Sequence, residues 1–544
     1  MAYAITQNCC NDASCVVVCP VGCIHPAPGE PGFATAEMLY IDPKTCIDCG
    51  ACADACPVDA IRPTSALDQD SQWYQSVNAA YYQANPLTPE WARESRQPVV
   101  AIGAEGLRVA IVGSGAAGWY AAKALLRHPG VRVHMFDRVP APHGLIRYGV
   151  APDHPHTKAV VDQFHWGRRQ EQRFELHLGV EVGAHISHDE LMNHHHAVIY
   201  ANGAGGERRL DIPGEESSAV VGAMAFVGWY NAHPEHSALD PELGHRRAVV
   251  IGNGNVALDM ARILTVAPDD LASTDIADHA VDALRRSNIE EVVVLGRRGP
   301  EHAAFTTPEL HGLSCVPGLD VVVDARDLAG VSSSDPIVTQ KLDLLHQLSQ
   351  CVPSPGNRRI ILRFNTTPVA INGERGSAEV LVRCGGGDES IATGLVLRSV
   401  GFQGVPIAGV PFDGQTSTIP NDHGRVVDPQ SGQLLPGVYA TGWISRGPTG
   451  GIGTNRSCAE DAVAALLDDH LAGALDTPAP GGPGQLIARR RPEVIGKQGW
   501  AAIDRAERAA GAVRGKPRSK LATTEGLLSA AVSRSFLSRV SMRG

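Results

Sequence analysis

The sequence predicts a multidomain chain in which a small α+β module precedes an α/β body built from two nested glycine-loop units. Three observations predict it. Nine of the 13 cysteines fall in the first 56 residues, so the N-terminus carries chemistry of its own. Two segments, one opening at Leu107 and one at Ala248, each read as an apolar β-branched strand, a glycine loop and a helix-forming run. The length of 544 residues is that of three or four domains at about 150 residues each.

Composition excludes several function classes. The chain has 58 acidic against 47 basic residues, a net charge of -11, so no broad basic field exists to hold nucleic acid or an anionic membrane. No apolar run approaches the roughly 18 residues of a membrane span, and the start MAYAITQNCC has neither a basic nor a long apolar segment that would direct export. A soluble, cytoplasmic protein with no nucleic-acid or membrane partner is expected. In a reducing compartment a cysteine cluster signals metal or redox chemistry, not disulfides, and the scattered Cys315, Cys351, Cys384 and Cys458 read as small buried side chains.

In the first element, residues 1–65, Cys46, Cys49, Cys52 and Cys56-Pro57 spell C-x2-C-x2-C-x3-C-P. Such a run places three thiolates around one iron-sulfur cubane and sends the fourth to a neighbouring cluster. Upstream, Cys9, Cys15 and Cys19-Pro20 make C-x5-C-x3-C-P, which lacks a middle cysteine. A tetrahedral zinc site is the rival reading, but cysteines at successive x2 spacing with a further Cys-Pro overfill it. The segment resembles a seven-iron bacterial ferredoxin, which implies a ferredoxin-like α+β fold with one 3Fe-4S and one 4Fe-4S cluster. By that resemblance Cys9, Cys15 and Cys56 hold the three-iron cluster, and Cys19, Cys46, Cys49 and Cys52 the four-iron one. Cys23 matches a cysteine packed beside the clusters without ligating. The family has seven residues between the first two ligands where this chain has five, or four if Cys10 takes the place of Cys9, so the first ligand stays open between those two. Seven acidic side chains against Lys44 and Arg62 give these 65 residues a net charge of -5, either a docking face for a basic partner or a solvated surface.

Residues 66–106 read as a linker, rich in Ser, Gln and Asn. Its aromatics, Trp73, Tyr74, Tyr81, Tyr82 and Trp91, are too many for a free tether, so parts of it are expected against a neighbouring domain.

At residues 107–204, the strand LRVAIV leads into Gly113-Ser-Gly115-Ala-Ala117-Gly118 and a helix, and the next strand ends in Asp137, 24 residues past Gly113. Glycines there permit a tight turn and close approach of a pyrophosphate to the backbone, the helix N-terminus favours the phosphate charge, and a carboxylate at the strand end bonds ribose hydroxyls. The second unit, residues 205–395, contains AVVI and the loop Gly252-Asn253-Gly254-Asn255-Val256-Ala257. Its following strand, delayed by an inserted helical stretch, ends in Arg297-Arg298, which pair with a 2′-phosphate where an acid would repel it, so NADP is expected over NAD. One site of each kind suggests FAD for the first loop and NADP for the second. GLVLRSV (394–400) and PGVYATGW (436–443) read as returning strands of the flavin domain, whose second part spans 396–515, and residues 516–544 read as a loosely ordered tail.

The segments GLIRYGVAPDHP, GNGNVALDMAR, GRRGPEHAAFTTPEL and ATGWISRGPTGGIGTNRSC strongly resemble adrenodoxin-reductase-type ferredoxin-NADP reductases over residues 107–515. The whole chain resembles the actinobacterial form with a ferredoxin fused ahead. The resemblance implies a flavoprotein oxidoreductase in electron transport, passing electrons between NADPH and ferredoxin, either its own module or an external one. It implies that Gly113, Gly115, Ala117 and Gly118 cradle the FAD pyrophosphate, with Asp137 on the ribose, Leu145 along the flavin and Val182 toward the adenine. Trp443, Gly450, Gly451 and Ile452 would lie at the isoalloxazine. Asn253, Gly254, Asn255 and Val256 would meet the NADP pyrophosphate, Arg297 and Arg298 its 2′-phosphate, and Glu309 and Gly450 the nicotinamide, with His154 and Glu309 positioning the ring for hydride transfer.

From the residues alone His154 also fits a surface turn, and His194-His195-His196 diverge too much for a metal site and read as a loop. A dithiol reductase needs a cysteine pair near the first glycine loop, and residues 119–201 contain none. An electron-input subunit serving a partner and a scaffold with degenerate nucleotide folds are the other rivals, the intact glycines and paired arginines opposing the last.

Overall fold

The computed structural model describes residues 2–87, 99–100, 102–103 and 106–532. Trp91 and the terminal run SRSFLSRVSMRG therefore lie outside the described residues.

The N-terminal module is two short antiparallel pairs and two one-turn helices. Strand Tyr3–Ile5 pairs with Ile61–Pro63, and Ile24–His25 with Tyr40–Ile41. Helix Ser14–Val18 starts beside Cys15 and ends at Cys19; helix Ala51–Ala55 contains Cys52 and ends at Cys56. The linker expectation needs correction here, because Trp73–Ala84 is a helix of the module. Asn78 accepts the N–H of Ile5 at 3.2 Å and of Ile41 at 2.9 Å, so one side chain ties the inner strands of both pairs. Tyr81 stacks on Tyr40 with centroids 4.4 Å apart, and the Tyr82 hydroxyl lies 2.7 Å from the Tyr40 carbonyl. The buried positions Tyr74, Val77, Asn78 and Tyr82 follow helical spacing, and tyrosine and asparagine disguise it as polar loop.

The body holds two open sheets. The first has seven strands in the order Asn421–Asp422, Arg425–Val427, Leu434–Ala440, Ala197–Tyr200, Leu107–Val112, Val131–Asp137, Phe174–Leu178, parallel except at the first two. The second has six parallel strands in the order Val220–Gly222, Leu395–Arg398, Arg247–Ile251, Glu291–Leu295, Arg358–Arg363, Leu319–Val323, with a three-stranded antiparallel meander over 367–393 inserted in the chain between Arg358–Arg363 and Leu395–Arg398. PGVYATGW returns to the first sheet as expected, with Val438 opposite Val198. GLVLRSV does not: Leu395–Arg398 lies between Val220–Gly222 and Arg247–Ile251, so the inserted unit keeps this strand and the boundary at 395 moves past it. An apolar strand buried on both faces carries no sign of which parallel sheet it joins.

Val182 lies beyond the strand ending at Leu178, in a bridge with Ile186, and packs in the core. The reading of 516–544 as loose fails for its first part. Lys516, Ser519 and Lys520 are buried, and Thr524–Val532 is a helix packed on Lys497–Val513. Glu507, fully buried, collects Arg147, Arg518 and the N–H of Leu521, which anchors that segment. His195 and His196 form the expected loop ahead of the strand Ala197–Tyr200, while His194 ends the helix His188–His194; His195 is buried, 2.8 Å from His134. One continuous apolar core runs from the module into the first sheet, including Ile5, Cys15, Leu39, Trp119 and Leu125.

Candidate functional site

Two cysteine cavities form in the module. One is lined by Cys19, Cys23, Cys46, Cys49 and Cys52 with Tyr3, Val21, Ile41 and Ile47. The other is lined by Cys9, Cys10, Cys15 and Cys56 with Ile5, Leu39 and Ile61. The two short helices explain the sorting, since each carries a cysteine of one cavity near one end and of the other cavity four residues on, about 6 Å along the axis. Burial pushes the Cys9 and Cys52 thiols up to about 12, so free thiolates are costly in these apolar walls. The Cys23 sulfur sits 3.4 Å from that of Cys19, where either thiol can donate, and hydrogen bonding to Cys23 lowers Cys19 and Cys46, so Cys23 sits beside the set. Among the described residues no disulfide links any cysteine.

The first glycine loop has the geometry its sequence demands. Gly113 adopts φ 107°, and a Cβ there would lie 2.4 Å from the Ala201 carbonyl oxygen; one on Gly118 would lie 2.1 Å from the Gly113 oxygen. A Cβ on Gly115 meets nothing within 4 Å, so that face of the loop is open. Ala117 is buried in the helix that follows, Ala116–Leu126. Asp137 accepts hydrogen bonds from the Ser114 N–H (2.8 Å) and hydroxyl (2.6 Å) and from the Val139 N–H, so it braces the loop. Leu145 is half exposed on the helix Gly144–Tyr148. Around this face lie buried polar atoms that have no partner among the described residues: Asn202 Oδ1, Trp443 Nε1, two nitrogens of Arg446 and Thr454 Oγ1. Each such atom costs about 1–3 kcal/mol unless something bonds it, and a polar cofactor is of the right chemistry.

A cleft of about 900 Å3 runs between the two sheets and the module. Its walls include Gly252 to Val256, Arg208, Arg297, Arg298, Trp443, Gly450, Gly451, Cys9 and Cys10. Gly252 repeats the tight turn, its notional Cβ 2.0 Å from the Ser399 oxygen, and Gly254 faces open space. Asn255 Oδ1 accepts the Thr306 N–H at 2.7 Å, which joins this loop to the helix Thr307–Ser314 that carries Glu309. Arg297 and Arg298 are exposed and make no ion pair among the described residues. Arg208 shares the wall, and no motif in the sequence marks it. Ile452 packs beside this wall against the main core.

His154 and Glu309 meet, with His154 Nε2 3.7 Å from Glu309 Oε1 and 3.4 Å from Asp259 Oδ1. Between them is a residue not foreseen, the buried Arg262, whose guanidinium bonds Asp153 (2.7 Å), Asp259 (2.6 Å) and Glu309 and lies 2.6 Å from His154 Nε2. Three carboxylates surround one guanidinium, so a second cation is welcome. Burial and the Arg262 guanidinium, 2.6 Å away, oppose the imidazolium, while hydrogen bonds to Asp259 and Glu309 raise His154 to about 10. The Arg262 and His154 charges hold Glu309 well below the carboxylate range despite its burial. The imidazole and carboxylate atoms are close enough together to surround a metal ion, and Arg262 is the cation that fills that place.

The module docks directly on this site. The Gly453 N–H donates to the Cys10 carbonyl at 2.7 Å, Arg456 donates to Ser14 Oγ at 2.7 Å, Lys341 pairs with Glu37 at 2.9 Å, and Trp73 stacks on His311 at 4.3 Å. Among the described residues no helix is long and apolar enough to cross a membrane.

Comparisons with known proteins agree with this architecture. Residues 107–296 match the family described as pyridine nucleotide-disulphide oxidoreductase, and residues 39–62 the family described as 4Fe-4S binding domain. A Mycobacterium tuberculosis protein named "Probable ferredoxin/ferredoxin--NADP reductase" is 49% identical over 98% of this chain and 95% of its own length. The mitochondrial NADPH:adrenodoxin oxidoreductase of Arabidopsis thaliana is 38% identical over 78% of this chain and 95% of its own. The structure of Mycobacterium tuberculosis FprA in complex with NADPH superposes with a TM-score of 0.73 at 41% identity, covering 78% of this chain and all of that one. With relatives of this identity along almost its full length, the chain belongs to the ferredoxin-NADP reductase family, in the form that carries its own N-terminal ferredoxin.

Proposed function

We propose that the chain is a working ferredoxin-NADP reductase that moves electrons between NADPH and two iron-sulfur clusters in its own module. The observation that carries this reading is the shared cleft: the second glycine loop, the Gly450–Gly451 turn and Cys9–Cys10 are walls of one space.

When bound, the flavin would take two electrons together from the nicotinamide and pass them on singly. The chain's own residues supply binding and order. Gly113, Gly115, Ala117 and Gly118 give the FAD pyrophosphate an open backbone face at a helix N-terminus, and Asp137, whose carboxylate also holds Ser114, takes the ribose. Leu145 covers the flavin, Val182 backs the adenine end from within the core, and Trp443, Gly450, Gly451 and Ile452 place backbone N–H groups and an indole at the ring. Asn253, Gly254, Asn255 and Val256 meet the NADP pyrophosphate, and Arg297 and Arg298 clamp the 2′-phosphate. His154 and Glu309, fixed by Arg262 beside the Thr306 wall, orient the nicotinamide and keep a proton near it.

Cys19, Cys46, Cys49 and Cys52 would hold a 4Fe-4S cluster and Cys15, Cys56 and Cys9 a 3Fe-4S cluster, the second cavity being lined by these three and Cys10 with apolar walls. Cys9 and Cys10 both line this cavity beside Cys15 and Cys56, and Cys9 is taken as the third ligand with Cys10 as its alternative. Thirteen unpaired thiols suit a reducing cytoplasm. Anaerobic NADPH titration of the purified protein, with flavin absorbance, EPR and iron content, tests the reading. Flavin bleaching followed by a change in a three-iron signal supports it, and NADPH that leaves every cluster oxidised overturns it.

A further inference from the structure

The two cavities are not equivalent in their surroundings. Cys9, Cys10 and Asn11 border the cleft, and the reductase body covers the segment that follows: Gly453 touches Asn11 and Asp12 so closely that a Cβ would lie 2.1 Å from the Asp12 nitrogen, while Arg456 bonds the Asp12 carbonyl and Ser14. Cys10, Asn11, Asp12, Ala13 and Cys15 are buried. Among the described residues, none from the body lines the other cavity. Cys49 is exposed, Ile47 beside it is 54% exposed although it lines the cavity wall, and Val18, preceding Cys19, is 40% exposed. Large apolar side chains left in water at the rim of a redox site mark a contact surface more than a stable solvated face. Two exposed carboxylates, Asp48 and Asp54, lie in the same cysteine run, while the basic side chains of the described module are Lys44, just ahead of it, and Arg62, on the strand Ile61–Pro63. Each helix that joins the cavities spans only four residues between cysteines of opposite sets, so the two sites adjoin.

We propose that the cavities work in series: the inner one, at Cys9, Cys15 and Cys56, takes electrons from the cleft across the Gly450–Gly453 turn, and the outer one, at Cys19, Cys46, Cys49 and Cys52, delivers them to a separate basic one-electron protein that docks over Ile47, Asp48 and Cys49. This rests on the functional reading above. Per turnover NADPH is oxidised to NADP with release of one proton, and its two electrons reduce two equivalents of that external acceptor, one at a time. The fused ferredoxin is then a relay, and the reaction that consumes its product is a one-electron reduction of a protein-bound centre.

The test uses the full-length protein, cytochrome c as a basic one-electron probe and ferricyanide as a small acceptor. Rapid-freeze EPR after mixing with NADPH is expected to show the inner-cluster signal changing before the outer. The double variant Asp48→Lys with Asp54→Lys is expected to retain its clusters and its ferricyanide rate, while the second-order rate with cytochrome c at low salt falls about tenfold and loses its salt dependence. Outer-cluster reduction ahead of the inner overturns the order. An unchanged cytochrome c rate in the charge-reversed variant overturns the docking face. Clusters that NADPH never reduces overturn the functional reading itself, which separates the two failures.

Discussion

Gly453 donates its N–H to the carbonyl of Cys10 across 2.7 Å, a contact between residues 443 positions apart in the chain that seats one cysteine cavity on the turn after Gly450. A Cβ on Gly453 would lie 2.1 to 2.4 Å from three backbone atoms of Asn11 and Asp12, and neither backbone has a flexible end that can yield. Gly453→Val is therefore expected to push the module off its seat. Stopped-flow absorbance should show cluster reduction slowed by about tenfold or more, as misplacement of donor and acceptor groups by an ångström does elsewhere. Cluster reduction at the unaltered rate refutes the seating role of this glycine.

Arg262 is the hub of the buried charges. Its replacement by Leu strands Asp153, Asp259 and Glu309 together out of water, and loss of one partner from such a network costs about 3–5 kcal/mol. Thermal unfolding of Arg262→Leu should begin well below that of the parent, and Arg262→Lys, which keeps the charge without the forked donors, should fall between the two. Equal melting of all three proteins would remove Arg262 from the role of hub.

Much of this arrangement was legible in the sequence, and the parts that were not share a cause. The glycine loops and the Cys-x2-Cys run are short local patterns whose backbone needs, positive φ at Gly113 and Gly252 and thiolates on adjacent turns, are written in neighbouring residues. The strand Leu395–Arg398 was assigned to the wrong sheet because its partners, Val220–Gly222 and Arg247–Ile251, are distant in sequence and its own apolar residues suit either sheet. Asp259 and Arg262, three apart on one helix, carry no mark of a site in the sequence, and only their juxtaposition with Asp153 and Glu309 from other elements makes them part of one. Helix Trp73–Ala84 was hidden because its most useful buried residue is Asn78, whose two acceptor contacts exist only once both strand pairs have formed.

Stability should depend on pH in a way that His154 dictates on the alkaline side. Its folded value, about 10, lies above the ordinary 6.5, so its contribution is complete below pH 6.5 and is lost as pH rises toward 10. His143, His177 and His195 run the other way. Burial lowers each to about 3, so their contribution is complete above pH 6.5 and is lost as pH falls toward 3. Urea titrations across the range should place maximal stability near pH 6.5. In His154→Gln the decline from 6.5 to 10 should flatten while the acid limb persists; an alkaline limb as steep as in the parent would assign it to other groups.

Coenzyme choice rests on the exposed guanidiniums along the cleft. Arg297 and Arg298 have no carboxylate partner among the described residues, and Arg208 stands on the same wall, so all three can turn to a 2′-phosphate without first breaking an ion pair. A charged hydrogen bond is worth about 1.5–3 kcal/mol, or about 10- to 100-fold in affinity at 1.4 kcal/mol per decade. Arg297→Ala and Arg298→Ala should each raise the KM for NADPH by that order, leave kcat close to the parent value, and change the KM for NADH little, because NADH lacks the group they hold. Arg208→Ala separates two geometries: a matching loss for NADPH alone puts Arg208 on the 2′-phosphate, whereas an equal loss for NADPH and NADH puts it on the pyrophosphate that both share. If all three substitutions weaken the two coenzymes equally, the positive wall acts as a general anion trap, and discrimination against NADH must come from residues on the other side of the cleft.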